Sequence, residues 1–147
     1  MGAKVKSPFD LVASAFRATG AEVGMSRRTL EVLRSLGQLP YNEPSPTGFP
    51  AMSEDWVNSG ALLARMNFAL ELAAGRLNGV RVDARRLVPA GDAGVRALLR
   101  AIVPAAETAA LEASITAELQ AMGDATARER AARALGLALG SPAFQRR

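Results

Sequence analysis

The sequence that decides the fold is SGALLARMNFALELAA, residues 59–74. With successive residues about 100° apart, as in an α-helix, apolar side chains span one broad side of this stretch. These side chains are Leu62, Leu63, Met66, Ala69, Leu70 and Ala73. Phe68 and Leu72 widen the apolar surface, and only Asn67 and Glu71 mark a polar face. Because such a helix needs cover on most of its sides, we expect it to be the central helix of the fold.

The first helix of the chain is predicted from its start and stop signals. Ser7 followed by Pro8 predicts the start, with Asp10 placed to close the cap, and Gly20 predicts the end. Its apolar face is expected to comprise Phe9, Leu11, Val12, Ala15 and Phe16.

Similar signals delimit the remaining helices. Gly75 ends the central helix, and further helices are expected from Ser26 to Gly37, Asp92 to Val103 and Asp124 to Leu139, with a terminal turn that carries Phe144. Residues Ala105 to Met122 are expected to form one further helix or a pair of helices. Residues 1–147 are therefore predicted to form a single all-α domain, a compact arrangement of five to seven helices.

Residues 38–52 interrupt the helical pattern, because they contain four of the eight prolines and Gly48. Proline fixes φ and disfavours helix at the residue before it, so this segment must be extended or turning. Tyr41 and Phe49 lie in the segment, and Trp56 follows it closely. We therefore expect an ordered Pro-rich arm that is held by burial of these rings.

The composition excludes several classes of site. The 147 residues include no cysteine and no histidine, so disulfides, thiolate or imidazole metal ligands and a Ser-His-Asp triad are ruled out for this chain. We predict no cofactor and no bound metal. The net charge of +4, from 18 Lys and Arg against 14 Asp and Glu, is a modest excess. We see no signal peptide and no apolar run long enough for a membrane span.

Four motifs occur in a distinctive order. They are KVKSPFDLV at 4–12, LGQ at 36–38 with PSPTGFP at 44–50, WVNSGALLARMNF at 56–68 and LALGSPAFQRR at 137–147. Together they resemble the bacterial family catalogued as domain of unknown function 1800. The pattern of that family has K-x-K-S-P, then L-G-Q, a proline-rich G-W-P passage and W-x-N-S-x-x-L-L-x-R-x-N-F. Phe49 stands where this pattern has Trp.

The resemblance implies that the chain is the C-terminal helical portion of a longer protein. Similar proteins are several times longer, and many carry export signals, which implies a periplasmic or secreted parent protein. Their His- and carboxylate-rich motifs lie upstream of K-x-K-S-P, so no catalytic residue can be carried over to this chain. The partner that the resemblance implies is the upstream region of the parent protein, and self-association is the alternative.

Arg65 is the first candidate for a ligand or docking site, together with Tyr41, Phe49 and Trp56 of the arm. An arginine beside the apolar face of a helix either receives an anion or carboxylate in a pocket, or serves the structure. In the structural case it extends to solvent or pairs with an acid that holds the arm. We favour the structural interpretation, because perturbed ion pairs are often structural. The acidic pair Glu54 and Asp55 is typical of a helix start.

Arginines cluster in three places, at 81, 85 and 86, at 128, 130 and 133, and at 146 and 147. Clustered arginine is required for binding nucleic acid, but Glu129 interrupts one cluster and no aromatic residues are interleaved for base stacking. Solvated helix faces are therefore the favoured interpretation. The spacing of Gly136 and Gly140 predicts close packing of two helices.

These observations support three hypotheses about function. The favoured one is a non-catalytic structural or docking helical module. The alternative is a pocket-forming part of an enzyme whose catalytic residues lie upstream. The weaker alternative is a nucleic-acid-binding helical module.

The predicted arm leads to a stability test. If the ring of Trp56 is buried between the arm and the central helix, Trp56→Ala should lower the free energy of unfolding by about 3–5 kcal/mol, the range for large buried aromatic side chains. Chemical denaturation measures this change. A loss below about 1 kcal/mol, as for surface substitutions, would show that the ring is exposed.

Overall fold

The computed structural model describes residues 4–24, 59–77, 79–90 and 92–146, together with Arg27 and Glu31. In the four continuous ranges it has seven helices and one two-stranded sheet, which confirms the predicted all-α class. Arg27 and Glu31 are both helical. The other predictions for the intervening sequence lie outside the described residues. These are the rest of the helix from Ser26 to Gly37, the arm at 38–52, and the rings of Tyr41, Phe49 and Trp56.

The helices are α1 (Pro8–Thr19), α2 (Ser59–Ala73), α3 (Ala84–Leu87), α4 (Asp92–Ile102), α5 (Ala105–Ala121), α6 (Ala127–Gly140) and α7 (Pro142–Gln145). The strands are β1 (Glu22–Val23) and β2 (Val80–Arg81). They pair antiparallel, with Glu22 opposite Arg81 and Val23 opposite Val80. This short sheet joins the residues that follow α1 to those between α2 and α3.

The caps of α1 are those that the sequence predicts. The Asp10 N–H donates to Ser7 Oγ at 3.2 Å, and the Ser7 hydroxyl donates to Asp10 Oδ2 at 3.0 Å. Gly20 adopts a left-handed φ of 59°, and its N–H donates to the Arg17 carbonyl. Serine, proline and glycine thus act at the positions where helix ends need a side-chain acceptor, a fixed φ and a positive φ.

α6 begins at Ala127 and not at the predicted Asp124. The Thr126 hydroxyl oxygen accepts the Glu129 N–H at 3.2 Å, and Glu129 Oε2 accepts the Thr126 N–H at 2.7 Å. This reciprocal capping box fixes the helix start. Because the ionised carboxylate accepts the Thr126 N–H, the pKa of Glu129 is lowered from its ordinary value.

The core is organised by the crossing of α2 and α6. A Cβ atom added to Gly136 would lie 2.8 Å from Leu70 Cδ2 and 3.3 Å from Leu70 Cα, and one added to Gly140 would lie 2.7 Å from Met66 Sδ. The absence of these side chains lets the two helices approach closely, as the glycine spacing predicts. The large buried side chains of the core, among the described residues, are those of Leu11, Phe68, Leu72, Leu98, Leu99, Ile115, Leu135, Leu139 and Phe144.

The cover that α2 needs is incomplete along its first turns within this chain. Leu62 is 48% exposed and Leu63 is 63% exposed. The physical reason is that α6 crosses α2 farther along, from Met66 to Ala73, so these leucines lie before the crossing. Phe9, which we placed on the apolar face of α1, is likewise 55% exposed. Among the described helices, none has the length and apolar character that crossing a bilayer requires.

The crossing predicts an unusual response to Gly→Ala substitution. In an exposed helix interior this change adds about 0.5–1 kcal/mol of stability. Here Gly136→Ala should instead lower the free energy of unfolding by about 1–3 kcal/mol, because the new methyl group meets the α2 backbone. Gly140→Ala should cost less, since the flexible Met66 thioether can move. Chemical denaturation tests both changes.

The matched control is Arg133→Ala, at an exposed position of α6. It should change the free energy of unfolding by no more than about 0.5 kcal/mol. Stabilisation by Gly136→Ala would contradict the close crossing.

Candidate functional site

Arg65 lies in the middle of α2 and is buried, with 1% of its surface exposed. Its Nη2 donates to the Lys6 carbonyl at 2.8 Å. Its Nε and Nη1 atoms are buried and have no hydrogen-bond partner among the described residues. Removal from water disfavours the charged form, and burial therefore lowers the pKa of the Arg65 guanidinium.

The backbone that Arg65 contacts joins the two ends of the described chain. The Lys6 N–H donates to the Gln145 carbonyl at 2.7 Å, and Val5 forms an antiparallel bridge with Arg146. The Lys6 ammonium lies 3.8 Å from the centre of the Phe144 ring, a favourable cation–π distance. Burial lowers the pKa of Lys6, while the nearby Asp10 carboxylate opposes this shift. Arg65 thus connects α2 to this junction between residues 5–6 and 145–146.

This geometry describes how Arg65 serves the structure. The Lys6 carbonyl, and not an acid, accepts from Arg65 among the described residues. At 1% exposure, an external ligand would reach the guanidinium only after covering residues move. Its role as a ligand or docking residue stays a prediction, as do those of Tyr41, Phe49 and Trp56. Those three, with Glu54 and Asp55, are outside the described ranges.

A cleft of about 850 Å³ opens where α1 and α2 end, beside the two-stranded sheet, α3 and the start of α6. Four arginines line it, Arg81 from β2, Arg85 and Arg86 from α3, and Arg128 from α6. Glu22 and Asp83 also line it, and Asp83 Oδ1 accepts the Arg85 N–H at 3.1 Å, which caps α3. We refer to this feature as the arginine cleft.

The structure divides the arginines that we considered for nucleic-acid binding. Arg81, Arg85, Arg86 and Arg128 come together in the arginine cleft. Arg130 serves the structure instead, because it donates to the carbonyls of Leu119 at 2.7 Å, of Ala125 at 3.2 Å and of Gly123. Arg133 and Arg146 are exposed and do not line the cleft, and Arg147 is not described.

Sequence reasoning missed the arginine cleft as a site. The neighbouring positions of Arg81, Arg85 and Arg86 give a local signal, but nothing in the sequence brings Arg128 to them. The packing of α3 on α6 does so. Within the described ranges, no three or more carboxylates come together in an arrangement that could hold a metal ion.

A sequence profile of the family described as "Protein of unknown function (DUF1800)" matches residues 1–146, which is almost the whole chain. No curated protein and no solved structure matches the chain.

The environment of Arg65 predicts a difference between two substitutions. Arg65→Met keeps most of the side-chain length and removes the buried charge, so that the loss of the bond to Lys6 is largely offset. It should change the free energy of unfolding by less than about 1.5 kcal/mol. Arg65→Ala also leaves a cavity and should lower it by about 2–5 kcal/mol. Urea denaturation of both variants checks this. Equal losses would show that the charge itself is paired within the fold.

Proposed function

This chain belongs to the DUF1800 family, whose description states no activity, and we propose that it is a non-catalytic structural and docking helical module. The observation that carries this proposal is the change of exposure along α2. Phe68 and Leu72 in its second half are buried, whereas Leu62 and Leu63 at its start are exposed. One helix therefore serves as the core of the domain at one end and presents large apolar side chains at the other.

The contacts of α2 support a rigid docking surface. Arg65 Nη2 holds the Lys6 carbonyl at 2.8 Å, and the Phe16 and Phe68 rings lie 6.4 Å apart, centre to centre. Gly140 lets α6 approach Met66. Leu62 and Leu63 thus extend from a helix that is fixed within one to two turns of them, so little order is lost when a partner covers them.

The partner that we propose is the upstream region of the parent protein, which the resemblance to longer proteins implies. Large exposed apolar side chains on a fixed helix suit burial against such a region, since covering a leucine contributes about 1.5–3 kcal/mol. Isolated apolar side chains are common on protein surfaces, so the proposal depends on these two leucines acting together.

The test is a binding measurement between this chain and the polypeptide encoded upstream in its native reading frame. The double variant Leu62→Ser and Leu63→Ser should bind the upstream polypeptide at least about tenfold more weakly, because two apolar contacts are lost. Val23→Ser is the matched control, since Val23 is an exposed apolar residue that lies in β1 and not in α2. Its affinity should equal that of the unmodified chain.

Three outcomes count against the docking proposal. One is that the upstream polypeptide shows no affinity for the chain. Another is that the double variant binds as tightly as the unmodified chain. The third is self-association through Leu62 and Leu63 in place of upstream binding, which would overturn the choice of partner. Sedimentation velocity and binding of a hydrophobic dye identify that case.

A second candidate function is favoured by the arginine cleft. Its volume of about 850 Å³ lies in the range of small-molecule sites, about 300–1,000 Å³. In this interpretation the chain contributes a pocket to an enzyme whose catalytic residues lie upstream. Activity of the whole parent protein that is lost on substituting Arg85 or Arg128, with docking unchanged, would separate this function from the first.

A further inference from the structure

We infer that the arginine cleft is a binding site for a small oxyanion with several negative charges, of the kind carried by di- and triphosphates. The residues that bind it are Arg81, Arg85, Arg86 and Arg128. This inference shares no residue with the docking surface at Leu62 and Leu63, so either can fail without the other.

The first support is that these arginines are not used by the fold. Among the described residues, none of the four guanidinium groups makes a hydrogen bond or an ion pair. Some other described arginines are engaged, whereas exposed ones such as Arg100 and Arg133 make no such contact with the described residues. Arg96 pairs with Glu112 at 3.0 Å, Arg65 donates to a carbonyl, and Arg130 donates to three. The cleft therefore holds guanidinium groups whose donors are available to a ligand.

The second support is the balance of charge. Four arginines and two acidic residues, Glu22 and Asp83, line the cleft, which gives its lining an excess of two positive charges. One oxygen of Asp83 is already occupied by the backbone N–H that it caps. Like charges held close together repel one another, and a bound anion relieves that repulsion.

Helix ends offer a competing explanation, because cations near a helix C-terminus are favourable and α1 and α2 both end at the cleft. However, the backbone already caps both ends. The Gly20 N–H donates to the Arg17 carbonyl and the Gly75 N–H to the Leu72 carbonyl. Arg128 also lies in the first turn of α6, where a cation opposes the helix dipole. Arg85 and Arg86 lie in the last turn of α3, where cations are favourable, but this accounts for neither Arg81 in β2 nor Arg128 in α6.

The lining selects the class of ligand. The planar fork of arginine matches phosphate and carboxylate oxygens, and several arginines together suit an anion with more than one charge. None of the described residues that line the cleft is aromatic, so it offers no ring on which a base could stack. A small polyphosphate therefore fits the cleft better than a single-stranded nucleic acid does.

The experiment is a titration of the full chain with inorganic tripolyphosphate at low ionic strength, in which isothermal calorimetry measures the heat of binding. We expect one saturable site. The double variant Arg85→Gln and Arg128→Gln should weaken binding by about tenfold or more, because two charge-assisted contacts are lost. Arg100→Gln removes the same type of charge from an exposed position of α4 outside the cleft. It should leave the affinity within about twofold.

A second measurement uses the unmodified chain, in case the double variant fails to fold. Tripolyphosphate should protect Arg81, Arg85, Arg86 and Arg128 from modification by phenylglyoxal, read by mass spectrometry, and should leave Arg100 unprotected. The inference is overturned if tripolyphosphate does not bind, if Arg100→Gln weakens binding as much as the double variant does, or if protection is uniform. Duplex DNA that binds through the same arginines and is not displaced by tripolyphosphate would also overturn it.

Discussion

The close crossing of α2 and α6 is the constraint on which the rest of this structure depends. Without side chains at Gly136 and Gly140, α6 packs against Leu70 and Met66, and its two ends are thereby placed. Its last turn leads directly into α7, whose Phe144 and Gln145 meet Lys6. Its first turn carries Arg128 to the arginine cleft. One contact between two helices thus positions both the junction near Arg65 and the cleft.

Local features of this fold could be predicted from the sequence because they depend on few residues. Ser7, Pro8 and Gly20 delimit α1, and Gly75 ends α2 with a φ of 71°. Each of these residues satisfies a requirement of its own helix end, and that requirement can be read without knowing the tertiary structure. The start of α6 was missed because Asp124 and Thr126 are both residue types that can cap a helix. The reciprocal hydrogen bonds between Thr126 and Glu129 place the cap at Thr126.

The features that could not be predicted depend on which elements meet. The sequence indicates that Arg65 lies near an apolar face, but its acceptor, the Lys6 carbonyl, is 59 residues away along the chain. A backbone carbonyl carries no side-chain signature, so no sequence pattern could identify it. The position of Arg128 in the cleft and the exposure of Leu62 and Leu63 also depend on tertiary packing and not on the local sequence. In each case the outcome depends on the angle and position at which α6 crosses α2.

The bridge between Val5 and Arg146 has a consequence for chain connectivity. Residues paired in this way have Cα atoms about 5 Å apart, so a linker of a few residues could join them. The helices could then be connected in a different order along the chain while they pack in the same way. We expect a circularly permuted chain, opened in the exposed segment at Pro89 and Ala90, to retain the packing of α2 on α6. The pairing of residues 5–6 with 145–146 would change from the most distant in sequence to a local one, which lowers the entropic cost of closing it during folding.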